Sequence, residues 1–418
     1  MTADEARAAL PSLTPYQRRL FAFLGVASFF EGYDFFALTQ VLPSIRASFA
    51  LDRAAAGNLV SVINLGTLLA YLLVSRADRW GRRRVLSVTI LGYALFTFLS
   101  GLAPNVWLFG GLQLAARIFL IGEWATSMVI AAEEFPAGRR GMVLGVISAA
   151  SSLGAVICAG VVPIVVKLGT WRLVYWVGVV PLLLMAWARR DLKETERFEA
   201  TEREPARPLL AIFGTPHRRR VLELATIWFF TYVCTQNAVT FWKDYAINEL
   251  HLSEGTAGLV VTLGAVVSMP LVFFAGKLFD VIGRKAGAVV VYATVIAGVV
   301  GVYFLKSTAL LVLAMILAMF GLSAVLTLLN TVTTELFPTE LRGDAFVWSN
   351  NLLGRIGYVV SPIVIGELAV DRGWGPVLRA SVVFPALALV LVLVWLPETR
   401  GRELEQTAAV NGAGGRRG

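Results

Sequence analysis

Asp280-Val-Ile-Gly-Arg-Lys285 repeats the earlier stretch Asp78-Arg-Trp-Gly-Arg-Arg83, and this repetition decides the fold. A second pattern repeats in the same order, from Glu133-Glu-Phe-Pro-Ala-Gly-Arg-Arg-Gly141 to Glu335-Leu-Phe-Pro-Thr-Glu-Leu-Arg-Gly343. Both patterns return after 202 positions. A third echo, 192–195, returns after 204 positions as Leu396-Pro-Glu-Thr399. Three echoes in one order indicate a duplicated unit of about 200 residues.

The composition predicts a chain embedded in a membrane. Hydrophobic residues make up 57% of the 418 residues, charged residues only 16%, and the mean hydropathy is +0.71. A soluble domain has about 25% charged residues. Apolar stretches of roughly 20 residues between short charged loops indicate helices that cross a bilayer. We count twelve, with the sixth near 171–189 and the seventh near 220–246. The expected fold class is an all-α membrane protein with two pseudo-symmetric six-helix bundles.

The positions of Lys and Arg predict the orientation. Basic residues concentrate at both ends and in the loops after even-numbered spans, for example at 82–84 and 189–220. Because cytoplasmic loops hold the excess of Lys and Arg, we expect both termini in the cytoplasm and the chain in the cytoplasmic (inner) membrane. The net charge of +9 is then a topology signal, so nucleic-acid binding is not expected.

Charge and proline content divide the chain into four segments. We expect an N-terminal six-helix bundle at 1–189 and a C-terminal six-helix bundle at 219–400. The charged, proline-containing segment 190–218 is the predicted cytoplasmic connector. The Gly-rich basic tail at 401–418 is expected to be disordered.

The sequence offers no sign of an enzyme, a cofactor or a metal. No G-x-x-x-x-G-K-[ST] loop is present, which argues against intrinsic ATP hydrolysis. His217 and His251 lack ligand partners at metal spacing, and Cys158 and Cys234 stand alone within spans. An ion gradient is therefore the expected energy source.

Charged residues inside spans are candidates for coupling. A charge at the bilayer centre costs roughly 2.5–3.5 kcal/mol on insertion scales, so it is expected to have a function. Glu31 and Asp34 lie three positions apart on one face of the first span, and the fourth span contains Arg117 and Glu123. A carboxylate whose proton affinity depends on a nearby Arg can act as a coupling switch. The alternative is a static buried ion pair, and either Asp34 or Glu123 could be the partner of Arg117.

The second half contains polar residues that could contact a solute. Arg355 ends the patch Asn350-Asn-Leu-Leu-Gly-Arg355 and could present a cation to an anionic substrate, or pair with Asp34 or Glu367. Further polar and aromatic candidates for lining a cavity are Trp228, Phe229, Tyr232, Gln236, Asn237, Asn64, Gln113, Asn330 and Asn351. Each could instead form a hydrogen bond between helices. Lys243 and Asp244 are expected to form a local pair.

These motifs resemble the major facilitator superfamily over nearly the full chain. The stretch 75–84 is similar to that superfamily's signature loop between spans two and three, and 276–285 is its second-half copy. Stretches similar to the sugar-porter and metabolite:proton symporter branches are 133–141, 335–343 and 397–401. Gly32-Tyr-Asp34 and Gly122-Glu-Trp124 look like the symporters of carboxylic and aromatic acids.

The resemblance implies alternating access by rocking of two bundles, in a protein that functions as a monomer. Carboxylates at cytoplasmic span ends could meet helix N-termini and nearby Arg side chains, with Arg140 and Arg342 pairing with Glu133 and Glu335. The expected gating residues are Asp78, Arg82, Arg83, Glu133, Arg140, Asp280, Arg284, Glu335 and Arg342. Exposed pairs contribute about 0–1 kcal/mol each, so such a set would have to act as a network.

The expected function is proton-coupled uptake of a small organic acid, with the proton, the solute and the lipid bilayer as partners. Asp34 would be the proton site, with Glu31 or Glu123, and Arg355 or Arg117 would contact the anion. A sugar symporter and an efflux antiporter remain alternatives. Cys158-Ala159 stands where drug:proton antiporters of this superfamily usually have Gly-Pro, which favours uptake. A membrane receptor that does not transport would show binding without flux.

Overall fold

The computed structural model describes residues 13–74, 80–177 and 210–400, and helices dominate these three segments. In chain order they are α1 (Pro15–Phe49), α2 (Arg53–Val74), α3 (Arg82–Ser100), α4 (Val106–Glu134), α5 (Ala137–Leu168), α6 (Arg172–Val177), α7 (Arg218–Thr240), α8 (Trp242–Asn248), α9 (Glu254–Ile282), α10 (Arg284–Val302), α11 (Thr308–Glu335), α12 (Thr339–Phe346), α13 (Arg355–Arg372), α14 (Trp374–Ala380) and α15 (Val383–Trp395). A 3₁₀ turn at Ala211–Gly214 precedes α7, and a π-helix at Val347–Gly354 joins α12 to α13.

The helix lengths confirm the all-α membrane fold class. Within the described segments, ten helical stretches are long and apolar enough to cross a membrane, five before residue 177 and five after residue 253. The predicted sixth span lies mostly outside the described residues, beyond α6. The predicted seventh span corresponds to α7, a helix of 23 residues. Together with the sixth and seventh spans, the ten helical stretches are consistent with twelve spans.

The chain forms two compact units. In the described residues, unit 1 comprises 13–51 and 62–177, and unit 2 comprises 52–61 and 210–400. The first turns of α2 therefore group with the second unit. Most of the predicted connector 190–218 and the whole predicted tail 401–418 lie outside the described residues.

Short polar side chains set where several helices begin. Thr14 and Gln17 form a capping box at the start of α1, with hydrogen bonds of 3.2 and 3.1 Å between each side chain and the other residue's backbone N–H. The Asn105 side chain accepts from Leu108 N–H at 2.9 Å before α4. Ser253 does the same for Thr256 at 3.1 Å before α9. These caps satisfy N–H groups that the helix itself leaves unpaired.

Glycines let the helices of unit 1 approach closely. A Cβ on Gly32 in α1 would overlap the Ser151 carbonyl oxygen in α5, and a Cβ on Gly154 would overlap the Phe29 carbonyl oxygen. The backbones of α1 and α5 therefore touch. Between α3 and α4, the rings of Phe96 and Phe119 stack with centroids 5.6 Å apart.

Unit 2 has its own aromatic and polar packing. Trp374 stacks on Phe241 with ring centroids 4.3 Å apart. The local pair of Lys243 and Asp244 stays a prediction, and each of these side chains has a partner on another helix. Lys243 Nζ pairs with Glu254 Oε2 at 2.9 Å, and buried Asp244 accepts from the Trp374 indole N–H. Successive residues on a helix point about 100° apart, so neighbours in sequence can meet different helices.

Candidate functional site

The buried charges of unit 1 begin with the acidic pair of α1. Glu31 and Asp34 lie one helical turn apart and are 8% and 9% exposed. The Ser151 hydroxyl of α5 donates to Glu31 Oε2 at 2.7 Å. That bond forms at the glycine crossing of α1 and α5, where the two backbones touch. The packing of the helices therefore fixes where the Glu31 carboxylate lies.

Helix α4 contributes a third carboxylate and a cation. Glu123 is 3% exposed and accepts from the Ser127 hydroxyl at 2.7 Å, one turn later on the same helix. Arg117 is 6% exposed, and its guanidinium lies over the Phe35 ring at 4.4 Å from the centroid. The charge of Arg117 interacts with Glu31 and with Asp34.

The structure thus brings together four predicted residues in unit 1: Glu31, Asp34, Arg117 and Glu123. The Arg117 guanidinium interacts with Glu31 and Asp34, and Glu123 interacts with Glu31, so the cluster has more carboxylates than guanidinium groups. The partners Ser127 and Ser151 were missed at the sequence level. A serine one turn from an in-span carboxylate, as in Glu123-x-x-x-Ser127, was the available signal.

Arg355 of unit 2 lies where the π-helix gives way to α13. The Asn350 side chain in the π-helix is buried and accepts from the Tyr232 hydroxyl of α7 at 2.7 Å. Arg355 also interacts with Tyr232. Within the described part of unit 2, Arg355 forms no ion pair with a carboxylate, and Glu367 is exposed. Arg355 is therefore a cation with an aromatic neighbour.

Aromatic rings surround this part of α7. Trp228 and Tyr232 stack at 5.3 Å, and Tyr358 of α13 meets the Tyr232 ring edge-on at 5.9 Å. The close approach depends on Gly354 and Gly357, because a Cβ on either would run into Trp228 or the Phe229 carbonyl oxygen. Such a wall offers both flat apolar surface and hydroxyl groups.

The remaining polar candidates of unit 2 have different environments. Asn237 is fully buried, and its amide nitrogen donates to Ser361 Oγ at 2.6 Å, which joins α7 to α13. Gln236 Nε2 donates to Thr240 Oγ1 at 3.4 Å. Asn351 is partly buried, and Asn330 is exposed. Asn237 therefore has the helix–helix role that the sequence left as an alternative.

The gating residues form ion pairs inside each unit. In unit 1, Arg82 reaches Glu133 at 3.3 Å, while Arg83 is exposed. Asp78 and the side chain of Arg140 lie outside the described residues. In unit 2, Arg284 reaches Glu335 at 2.7 Å and Asp280 at 3.1 Å.

The prediction that Arg342 pairs with Glu335 is wrong. The ion pair of Glu335 is with Arg284, and the Arg342 guanidinium donates to the Phe337 carbonyl oxygen at 3.4 Å. The Thr399 hydroxyl donates to Glu335 as well. Arg284 reaches Glu335 because it begins α10, which starts beside the end of α11, where Glu335 lies. The Arg342 side chain instead points back along its own turn.

The described segments contain no group of three His, Cys, Asp or Glu side chains that could hold a metal ion. The buried carboxylates of unit 1 can exchange protons, and the guanidinium groups of Arg117 and Arg355 can bind anions.

Comparisons with family models and with known proteins point to the same family. The family model described as Major Facilitator Superfamily matches residues 24–362 and 224–413. The chain is similar to the sialic acid transporter NanX of Escherichia coli (strain K12), with 25% identity over 391 residues, 90% of this chain and 94% of the relative. It is also similar to the cis,cis-muconate transport protein of Acinetobacter baylyi, with 27% identity over 390 residues, 88% of this chain and 91% of the relative.

A solved structure supports the fold. The crystal structure of the nucleoside transporter NupG superposes with a TM-score of 0.77 and covers 90% of this chain and 100% of that chain. The two sequences are 13% identical, so the likeness concerns the fold alone.

Proposed function

Since this chain belongs to the Major Facilitator Superfamily and is an integral membrane transporter, we propose that it couples the uptake of a small organic acid to proton entry. One observation supports this proposal above all. Glu31, Asp34 and Glu123 are buried inside helices that are apolar enough to cross a bilayer, and in the described part of this cluster Arg117, which interacts with Glu31 and Asp34, is the one cation. A static ion pair would need one carboxylate, not three.

Protons are the natural counter-ions for this cluster. With all groups charged, Arg117 compensates only one of the three carboxylates. Burying uncompensated charge costs several kcal/mol per ion, and binding a proton removes that cost. Asp34 is the proposed proton site, and Glu31 and Glu123 are the candidates for a second one.

Arg117 would link the proton to the substrate. Its guanidinium interacts with Asp34 and Glu31 when these are ionised. Protonation of Asp34 weakens that attraction and frees the guanidinium for the carboxylate of a substrate. Arg117 thus pairs with ionised Asp34 when no substrate is bound, and with the substrate carboxylate when Asp34 is protonated. This exchange of partners couples substrate transport to proton transport.

The proposed substrate class is a carboxylic or aromatic acid. The two relatives are named for sialic acid and cis,cis-muconate, both of which are carboxylic acids. In unit 2, Arg355 provides a second cation beside the rings of Tyr232 and Tyr358. A planar anion suits such a combination of cation and aromatic wall.

We further propose that two ion pairs, Arg82–Glu133 and Arg284–Glu335, each hold helix ends together within one half during the transport cycle. These are the helix ends that we expect on the cytoplasmic side. Both pairs are largely buried, with side chains 12–16% exposed. Asp78, Arg83, Arg140, Asp280 and Arg342 belong to the same proposed layer.

Transport into proteoliposomes tests the proposal. With an inside-alkaline pH gradient, we expect accumulation of at least one of three probes: cis,cis-muconate, sialic acid or benzoate. Asp34→Asn should reduce accumulation by about tenfold or more, equivalent to about 1.4 kcal/mol, while exchange of the same probe persists. Glu367→Gln is the matched control, because this carboxylate of α13 is exposed.

Two results would contradict the proposal. Accumulation by Asp34→Asn at the wild-type level would remove this carboxylate from coupling. Strong dependence on membrane potential would favour a neutral solute, since a neutral sugar that moves with one proton gains roughly 2.3 kcal/mol per 100 mV, whereas a monoanion with one proton gains nothing.

A further inference from the structure

Several buried polar atoms of unit 1 lack a hydrogen-bond partner among the described residues, and four of them lie on Arg117 or on side chains near it. These four are the hydroxyls of Tyr33 and Tyr175, Nε2 of Gln113 and Nη1 of Arg117. The four side chains are between 0% and 6% exposed. Buried polar groups in proteins are nearly always paired, and an unpaired one costs free energy. Several such atoms in one place therefore indicate a missing partner.

The four side chains point to one region of the unit. Gln113 and Arg117 lie one turn apart on the same face of α4. Tyr175 of α6 is within electrostatic range of Arg117, Tyr33 and Asp34. Tyr33 of α1 is likewise within range of Asp34. Three helices thus direct polar atoms toward the surroundings of Arg117.

The packing around Arg117 leaves its edge available. The Phe35 ring covers one face of the guanidinium at 4.4 Å, and Gly66 of α2 lies against its stem, where an added Cβ would come within 2.9 Å of Arg117 Cβ. The N–H groups of a guanidinium point outward in its plane, so stacking on the ring does not satisfy them. The unpaired Nη1 is such an in-plane donor.

All four atoms can donate a hydrogen bond. The amide nitrogen of Gln113 and the guanidinium of Arg117 are donors only, and both tyrosine hydroxyls can donate. A carboxylate accepts up to about four hydrogen bonds and pairs with the Arg charge, so it matches this set better than a neutral hydroxyl compound does.

We propose that Tyr33, Tyr175 and Gln113 join Arg117 to form a buried subsite for the carboxylate of the transported acid. This inference rests on the proposed function, because it takes the ligand to be an organic acid. It adds Tyr33, Tyr175 and Gln113 as residues that determine specificity for a carboxylate over its neutral analogue.

Ligand binding to the full-length chain in detergent tests the subsite. The probes are cis,cis-muconate, sialic acid and benzoate, with benzamide as the neutral counterpart of benzoate, and the readouts are the dissociation constant and the melting temperature. The variants Tyr33→Phe, Tyr175→Phe and Gln113→Leu remove the polar atom and keep most of the volume. Each should raise the Kd of the bound acid about tenfold, while the ligand-free melting temperature stays the same or rises, since no bond in the empty protein is lost.

Tyr292→Phe is the matched control. The Tyr292 hydroxyl in unit 2 is fully buried and bonded to Thr231 Oγ1 at 2.8 Å. Its removal should lower the melting temperature without changing the Kd of the acid. The contrast separates a hydroxyl that binds ligand from one that holds the fold.

The possible results distinguish this inference from the proposed function. If the wild type binds and accumulates an acid but the three variants bind it equally well, the subsite is refuted and the function stands. If the variants only lose ligand-free stability, the atoms hold structural water and the subsite is refuted. If the variants weaken binding but no proton-driven accumulation occurs, the subsite stands and the function falls. If no acid binds to the wild type, both are refuted.

Discussion

At the scale of single residues, each half contains an Arg–Glu ion pair at the corresponding position. Arg82 pairs with Glu133 and Arg284 pairs with Glu335, each across 51 positions. Unit 2 adds a further carboxylate, Glu398, which accepts the backbone N–H groups of Arg284 and Lys285 at 2.8 and 2.9 Å. Glu398 therefore caps the N-terminus of α10, where partial positive charge favours an anion.

The pKa of Glu398 reflects this position. Partial burial raises the pKa of the carboxyl, but hydrogen bonds from the N–H groups of Lys285, Arg284, Arg400 and Thr399 outweigh burial and bring it below its usual value. Because the pKa is lower in the folded protein, the carboxylate stabilises the fold above the usual value of 4.5, and this contribution is lost as the pH falls below it.

Glu398→Gln should therefore lower the melting temperature at neutral pH by about 2–4 °C, the effect of about 1 kcal/mol in a domain of this size. The difference from the wild type should shrink as the pH falls below about 4.5. Melting curves across pH measure both effects, with Asp371→Asn, an exposed carboxylate at the end of α13, as the control. A pH-independent difference would show that the charge of Glu398 is not what matters.

At the scale of helices, the crossing of α1 and α5 positions Glu31 in the buried acidic cluster of unit 1. Gly32 and Gly154 allow the two backbones to touch, and Ser151 at the same crossing donates to Glu31. The π-helix at Val347–Gly354 is the corresponding special element of unit 2. This π-helix contains Asn350 and ends directly before Arg355, and π-helical turns are frequent at functional sites.

Gly154→Ala should destabilise the protein by about 1–3 kcal/mol, because the added methyl meets backbone that must move. Uptake should fall as well, since the same shift displaces Ser151 from Glu31. Gly145→Ala in the same helix is the control, as an added Cβ there meets nothing within 4 Å and should be neutral or slightly stabilising. Melting temperature and initial uptake rate are the measurements, and equal behaviour of the two variants would contradict the close crossing.

At the scale of the whole molecule, the duplicated halves require an even number of spans. We therefore expect epitope tags at the N- and C-termini to be accessible only from the cytoplasmic face of vesicles. A tag in the segment 101–105, between α3 and α4, should be accessible only from the opposite face. Protease protection in right-side-out and inverted vesicles measures this, and termini on opposite faces would contradict the two-bundle topology.

Much of the fold and part of the site could be predicted from the sequence. The apolar spans follow from composition, and the acidic pair of α1 stands out because charge in an apolar span is expensive. The bond of Ser151 to Glu31 could not be predicted, because a hydroxyl in a helix looks the same whether it bonds its own backbone or another helix.

The sequence by itself determined that this protein is a duplicated, helical membrane transporter, since hydropathy and repeated motifs are properties that add up along the chain. Only the tertiary structure decided which partner each charge takes: Arg284 for Glu335, Glu254 for Lys243, and one guanidinium for Glu31 and Asp34 together. Such choices depend on how each helix is rotated and how closely two helices cross, and these are set by packing between residues far apart in the chain.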